Sequence, residues 1–195
     1  MSYRGNSRDK DFERARAYNS ISKARFLNQK HIVIAGHCGD IKYLLEYGVS
    51  PKNIIACDQR DDYRYQAKRY GVIVPPGSYG TDIITTTKWA LDNFGEEQIV
   101  SINVDLCTSL IYGLPVLGKV IELANWDDVH IFYTFRCGRD KGLGKGNEPM
   151  PGNKRRMRLI DLLNRLNRDG NYVGFFPYNS WTIRSKGSPM CVAHL

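Results

Sequence analysis

The residues able to do chemistry begin at HIVIAGHCGD, residues 31–40, where a short apolar run passes through Gly36, His37 and Gly39 into a helical pattern. Glycine at a strand-to-helix turn permits backbone angles closed to other residues and lets a ligand approach the main chain. A tight turn with no ligand is the other use of such glycines. The next apolar run, NIIACD, ends in Asp58, about twenty residues on, where a carboxylate can accept both hydroxyls of a ribose. Together these features point to a nucleoside-bearing cofactor. A dinucleotide site prefers G-x-G-x-x-G, with the pyrophosphate on the helix N-terminus. Here the run is G-H-C-G-D, and Asp40 sets a negative charge where that phosphate would lie. A cationic cofactor without phosphate suits the acidic loop better.

Strands and helices must hold these turns. Residues 11–30 have apolar and aromatic side chains at helical spacing, which predicts one helix. Strand patterns follow at HIVIAG, NIIACD, GVIVPP, QIVSINVDL and DVHIFYTF, separated by the helical patterns 40–48, 61–71 and 81–95 and by a helix that Pro115 can open. The segment 153–167 has one apolar helical face, and the runs 172–183 and 189–195 read as an antiparallel hairpin. Alternating strands and helices predict an α/β fold with a parallel sheet covered on both faces. Such sheets bind ligands at the carboxyl ends of their strands.

The 195 residues are 42% hydrophobic and 25% charged, enough for one core. Residues 1–10 read as a flexible basic tail and 11–195 as a single domain. Twenty-eight Lys and Arg against twenty Asp and Glu give a net +8, which favours a polyanionic partner, nucleic acid first; a merely soluble basic surface is the alternative. The five cysteines include no CxxC pair and no zinc-ligand spacing, so no metal is expected. Neither a membrane-spanning run nor a signal peptide is apparent, and a reducing cytoplasm is the expected setting.

An N-terminal helix before the first strand, the turn GHCGD, Asp58 after the second strand and a terminal hairpin make the chain resemble the class I S-adenosylmethionine-dependent methyltransferases, over about residues 12–195. More narrowly, IAGHCGDIKYLLEYGVSPKNIIACD, VDLCTSL and TFRCGRDK resemble methyltransferase-like proteins of phages and mobile elements, which would work in the host cytoplasm. The resemblance implies a doubly wound, mostly parallel seven-stranded Rossmann-like sheet and S-adenosylmethionine as cofactor. The main chain around Gly36, His37 and Gly39 would line the cofactor's amino-acid end. Asp58 would hold the ribose, with Gln59 and Arg60 beside it. Asp82 would either meet the adenine or cap the next helix, and the cap is preferred.

The same resemblance puts the reaction at the end of the fourth strand, at Asp105. Amino-methylating enzymes of nucleic acid have Asn or Asp there, followed by two prolines and an aromatic residue. This chain has Leu106, Cys107 and Thr108 instead. Asp105 could accept a hydrogen bond from an acceptor amine or from the cofactor's ammonium, or cap the following turn. Enzymes that methylate carbon 5 of cytosine attack with a thiolate from the loop after strand four or five, where this chain has Cys107 and Cys137. The family's Pro-Cys and Thr-Cys pairs are missing, and a buried structural thiol is the alternative. Arg136 and Arg139 would favour the Cys137 thiolate. His31, His130 and His194 lie in apolar strands and read as core residues, whereas His37 could touch the cofactor or bond within its turn.

From Arg139 to Arg158 seven positive residues, among them Arg139, Lys141, Lys145, Lys154, Arg155 and Arg156, face two negative ones. Such a segment can clamp a phosphate backbone or simply be a solvated loop. The resulting expectation is an enzyme that transfers the methyl group of S-adenosylmethionine to nucleic acid. Its rivals are a catalytically degenerate binding module and a small-molecule methyltransferase.

Overall fold

The computed structural model describes residues 14, 15, 17–124, 129–136, 179–183 and 190–194. The basic tail 1–10, Cys137, the basic residues from Arg139 to Arg158 and the expected helix 153–167 lie outside the described residues.

Four apolar segments form parallel strands: β1 (Lys30–Ile34), β2 (Ile54–Cys57), β3 (Ile99–Ser109) and β4 (His130–Arg136). β5 (Asn179–Ile183) and β6 (Met190–His194) pair antiparallel with each other, and β6 pairs antiparallel with β4. The order across the sheet is β2-β1-β3-β4-β6-β5. Six strands, rather than the expected seven, are paired among the described residues. The segment GVIVPP contributes a single parallel bridge, Ile55 to Ile73. There the Ala56 N–H donates to the Ile73 carbonyl and the Ile73 N–H to the Ile54 carbonyl. Pro75 and Pro76 lack N–H donors, so the pairing cannot continue as a ladder.

The helices α1 (Lys23–Asn28), α2 (Gly39–Glu46), α3 (Asp61–Arg69), α4 (Ile83–Phe94) and α5 (Leu110–Leu123) connect the strands. The single helix expected over 11–30 is interrupted. Residues 17 and 18 are helical, 19 and 20 turn, and α1 starts only at Lys23. The cluster Asn19-Ser20-Ile21-Ser22 explains the break, because short polar side chains compete for backbone groups. Ser20 Oγ does this directly, donating to the Ala17 carbonyl at 2.7 Å. Pro115 lies inside α5 rather than opening it. Its missing N–H forfeits one helical bond, and the helix continues around it to Leu123.

Two apolar clusters cover the sheet. On one face Ile32, Ile55, Ile102, Val104 and Ile131 pack with Ile83 and Ala90 of α4 and Leu117, Val120 and Ile121 of α5. On the other, Val33, Ile54, Ala56 and Phe132 pack with Ile41 and Leu44 of α2, Ala67 of α3 and the N-terminal Ala17, Tyr18 and Ile21. β1 lies between β2 and β3, so the chain leaves β1 in one direction and β3 in the other. In such sheets the carboxyl ends of the strands at that reversal, here β1 and β3, are the usual ligand position.

Candidate active site

The turn after β1 is built for a close approach. The Ala35 N–H still pairs with the Cys57 carbonyl at 2.7 Å, and the Cys38 N–H then closes the turn on the Ala35 carbonyl at 2.6 Å. Gly36 has φ +42°, and a Cβ added there would meet nothing within 4 Å. Glycine at 36 is therefore required by the backbone, and the space in front of it is open. Cys38 takes φ +58° without being a glycine, an angle that is costly for most side chains. Its thiol is buried, and burial raises its pKa.

Asp58 stands at the end of β2, directly across from this turn. Its Oδ2 accepts the Gly36 N–H at 2.9 Å, and its Oδ1 accepts the Arg60 N–H at 2.9 Å. The Asp58 N–H donates to the Gly80 carbonyl at 3.0 Å. Asp58 thus ties together the loops after β1, after β2 and after the 71–76 segment. A carboxylate oxygen has two lone pairs, so each oxygen that accepts one main-chain N–H keeps acceptor capacity for a ligand hydroxyl.

Around Asp58 lies a rim of exposed polar and aromatic groups. Gln59 is exposed. Arg60 stacks over the Tyr63 ring at 4.2 Å and pairs with Asp62. Tyr63 also meets His37 edge-on, its hydroxyl 3.4 Å from Nε2. Arg64 donates to the Asp58 carbonyl and pairs with Asp61. Asp82 is a helix cap: Oδ1 accepts from the Ile84 and Thr85 N–H groups, both at 2.9 Å.

The reaction edge expected at Asp105 is the carboxyl end of β3. Asp105 is half-buried and registers with Thr134 of β4. Beyond it, four steps along β3 to Ser109 match only two along β4, from Thr134 to Arg136. Cys107 falls in this bulged stretch of the strand, rather than in a loop after it. Such bulges re-aim side chains at sheet edges.

Behind Asp105, alternate positions of β3 place Asn103 and Ser101 on the same sheet face. His31 is a core residue, as its setting implied: Nε2 donates to the Phe26 carbonyl at 2.8 Å, which leaves Nδ1 to accept the Ser101 hydroxyl at 2.7 Å. Burial lowers its pKa to about 4. Cys57 is equally inert, its thiol pushed up to about 12 by burial.

Two contributors escaped the sequence reading. Gly80 is one: a Cβ there would stand 2.6 Å from the Pro75 carbonyl oxygen, so glycine keeps the loop that receives the Asp58 N–H. Arg14 is the other. Its Nε donates to Asp40 Oδ1 at 2.9 Å, and its guanidinium lies against Gly39, where an added Cβ would stand 3.0 Å from Cζ. Twenty-six residues separate Arg14 from Asp40, and no local spacing could announce that pair. Gly39 therefore admits an arginine to the turn.

The α/β fold with its parallel strands matches that of S-adenosylmethionine-dependent methyltransferases of known structure. The chain is similar in structure to N-methyltransferase NodS from Bradyrhizobium japonicum WM9, with a TM-score of 0.50 and 13% identity over 96% of this chain and 93% of that one. A SAM-dependent methyltransferase from Anabaena variabilis ATCC 29413 is similar too, with a TM-score of 0.50 and 11% identity over 95% and 85% of the two chains. The likeness is one of fold. No family model and no curated protein matches the sequence. No helix among the described residues is long and apolar enough to cross a membrane.

Proposed function

We propose that the protein binds S-adenosylmethionine and transfers its methyl group to nucleic acid. The observation that carries this reading is the Asp58 carboxylate, bonded to the Gly36 main chain at the carboxyl ends of neighbouring strands. It supplies acceptors for a ribose diol beside a turn with open space at Gly36. S-adenosylmethionine would bring an already activated methyl group on a sulfonium. The chain's task is then mostly placement, because aligning two reactants removes much of the barrier. Gly36 and His37 would border the cofactor, Asp58 would orient its ribose, and Asp105 would accept a hydrogen bond from the acceptor at the β3 edge. For an acceptor at carbon 5 of a pyrimidine, Cys107 or Cys137 would be the nucleophile.

Nucleic acid as the acceptor rests on charge. The chain carries +8 overall, with seven cations between Arg139 and Arg158.

The test is calorimetric titration with S-adenosylmethionine, followed by methyl transfer to pooled DNA and RNA. Saturable binding by the wild type and at least a tenfold loss in Asp58→Ala are expected, since hydrogen bonds to a charged acceptor contribute about 1.5–3 kcal/mol. Transfer should fall steeply with salt if the acceptor is a polyanion. Binding without transfer to any nucleic acid would favour a non-catalytic binding module. Transfer to a small acceptor, insensitive to salt, would favour a small-molecule methyltransferase.

A further inference from the structure

Among the described residues, Asp58 is held at four points. Its carboxylate oxygens accept the Gly36 and Arg60 N–H groups, its own N–H donates to the Gly80 carbonyl, and its own carbonyl accepts Arg64 Nη1. Three of these partners are main-chain groups, present whatever side chain stands there. The fourth, Arg64, is a side chain, and the sequence is free to keep it or lose it.

The geometry of Arg64 goes beyond what a strand end needs. β2 stops at Cys57, so the Asp58 carbonyl has left the ladder and must find a donor elsewhere. One loop N–H or a water would satisfy it. Instead the carbonyl meets a guanidinium whose side chain is 18% exposed, and whose Nη2 is bonded to Asp61 Oδ1. Asp61 lies in the first turn of α3, where a carboxylate is favoured by the helix dipole. The planar fork of an arginine fixes its two partners relative to each other, as a lysine cannot. Arg64 therefore ties the end of β2 to the start of α3. The loop between them closes on itself, because the Arg60 N–H returns to Asp58 Oδ1 at 2.9 Å and the Arg64 N–H to the Arg60 carbonyl at 3.2 Å.

We propose that Arg64 is a positioning residue for sugar selection: it fixes the main chain of Asp58 so that the carboxylate keeps the aim a vicinal diol requires. Arg64 itself touches no ligand. A carboxylate that accepts one hydroxyl tolerates some wobble, whereas one that reads two hydroxyls at once must be held within about 0.5 Å by its supporting groups. The assignment rests on the S-adenosylmethionine reading above. Its consequence is that Arg64 sharpens the choice of ribonucleoside over 2′-deoxyribonucleoside.

Two ligands that differ by one hydroxyl provide the probe: S-adenosylhomocysteine and its 2′-deoxy analogue. Both are titrated calorimetrically into the full chain and into Arg64→Ala, Arg64→Lys and Asp61→Asn, with thermal unfolding as the folding control. The wild type should prefer the ribonucleoside by about tenfold or more, the range for a hydrogen bond to a charged acceptor. Arg64→Ala should lose most of that preference, with the ribonucleoside weakened and the 2′-deoxy analogue unchanged. Arg64→Lys, which still reaches one partner, should restore part of it. Asp61→Asn loosens the same guanidinium from an exposed position and should give a smaller fall, which keeps the test valid if Arg64→Ala does not fold. Equal losses for both ligands, or a preference that survives in every folded variant, would overturn the assignment and leave the cofactor reading intact. Equal affinities in the wild type would overturn it too, since Asp58 would then not read the diol. If neither ligand binds the wild type, the cofactor reading fails and this assignment fails with it.

Discussion

The two faces of the parallel sheet are both buried, but they are made of different chemistry. Along β1, β3 and β4 the α4/α5 face presents Ile32, Ile102, Val104, Ile131 and Tyr133. The face under the N-terminal segment presents His31, Ser101 and Asn103 among Val33 and Phe132, and continues to Asp105 at the edge. The first face is held mainly by burial, which is non-directional and tolerant of detail, with the Tyr133 hydroxyl as its buried polar exception. The second must satisfy each polar group it buries. It succeeds at His31, which has partners on both ring nitrogens, and leaves the Tyr18 hydroxyl and Asn103 Oδ1 incompletely bonded among the described residues.

The largest test of this contrast is on the apolar face. Ile102 is fully buried in the middle of β3, and Ile102→Ala should cost about 2–5 kcal/mol, measured by denaturant unfolding. A cost under 1 kcal/mol would mean that this face does not dominate stability.

Next in size is the pH dependence at His31. Its folded pKa, about 4, lies below the unfolded value of about 6.5, so the unfolded chain binds the proton first. Stability from this group is fully present above pH 6.5 and is lost as pH falls toward 4, a change of order 3 kcal/mol. Thermal unfolding between pH 7 and 4.5 should show the slope, and His31→Gln should flatten it. An unchanged slope in that variant would place the titration elsewhere.

The smallest effect sharpens the comparison most. Asn103→Leu replaces a buried group whose Oδ1 lacks a partner with an apolar one. Its stability should remain within about 1 kcal/mol of the wild type. A loss as large as that of Ile102→Ala would show that Asn103 is bound into the fold rather than turned toward a ligand.

Several features were legible because their causes are local. The period of the apolar residues announced β1 to β4, and Asp82 announced its own cap. Asp58 was marked by its place at the end of an apolar run about twenty residues after the glycines. Where local signals compete, legibility fell. Helical spacing over residues 11–30 concealed the Asn19–Ser22 break. GVIVPP had the composition of a strand, but its prolines removed the donors a ladder needs. Pro115 marks a helix start only when nothing before it is helical, and here residues 110–114 already are.

By itself, then, the sequence determined the alternation of elements, the turn that needs Gly36 and the carboxylate at Asp58, since each depends on residues close along the chain. Tertiary structure alone decided why Gly39 is a glycine, which loop receives the Asp58 N–H, and what lies over the buried polar stripe of β3. Those answers require Arg14 against Asp40, Gly80 against Pro75 and Tyr18 beside Asn103. The first and last of these join segments far apart along the chain, and Gly80 matters through a loop that closes on β2. Chain folding brings such groups within bonding distance, and no spacing in the sequence encodes it.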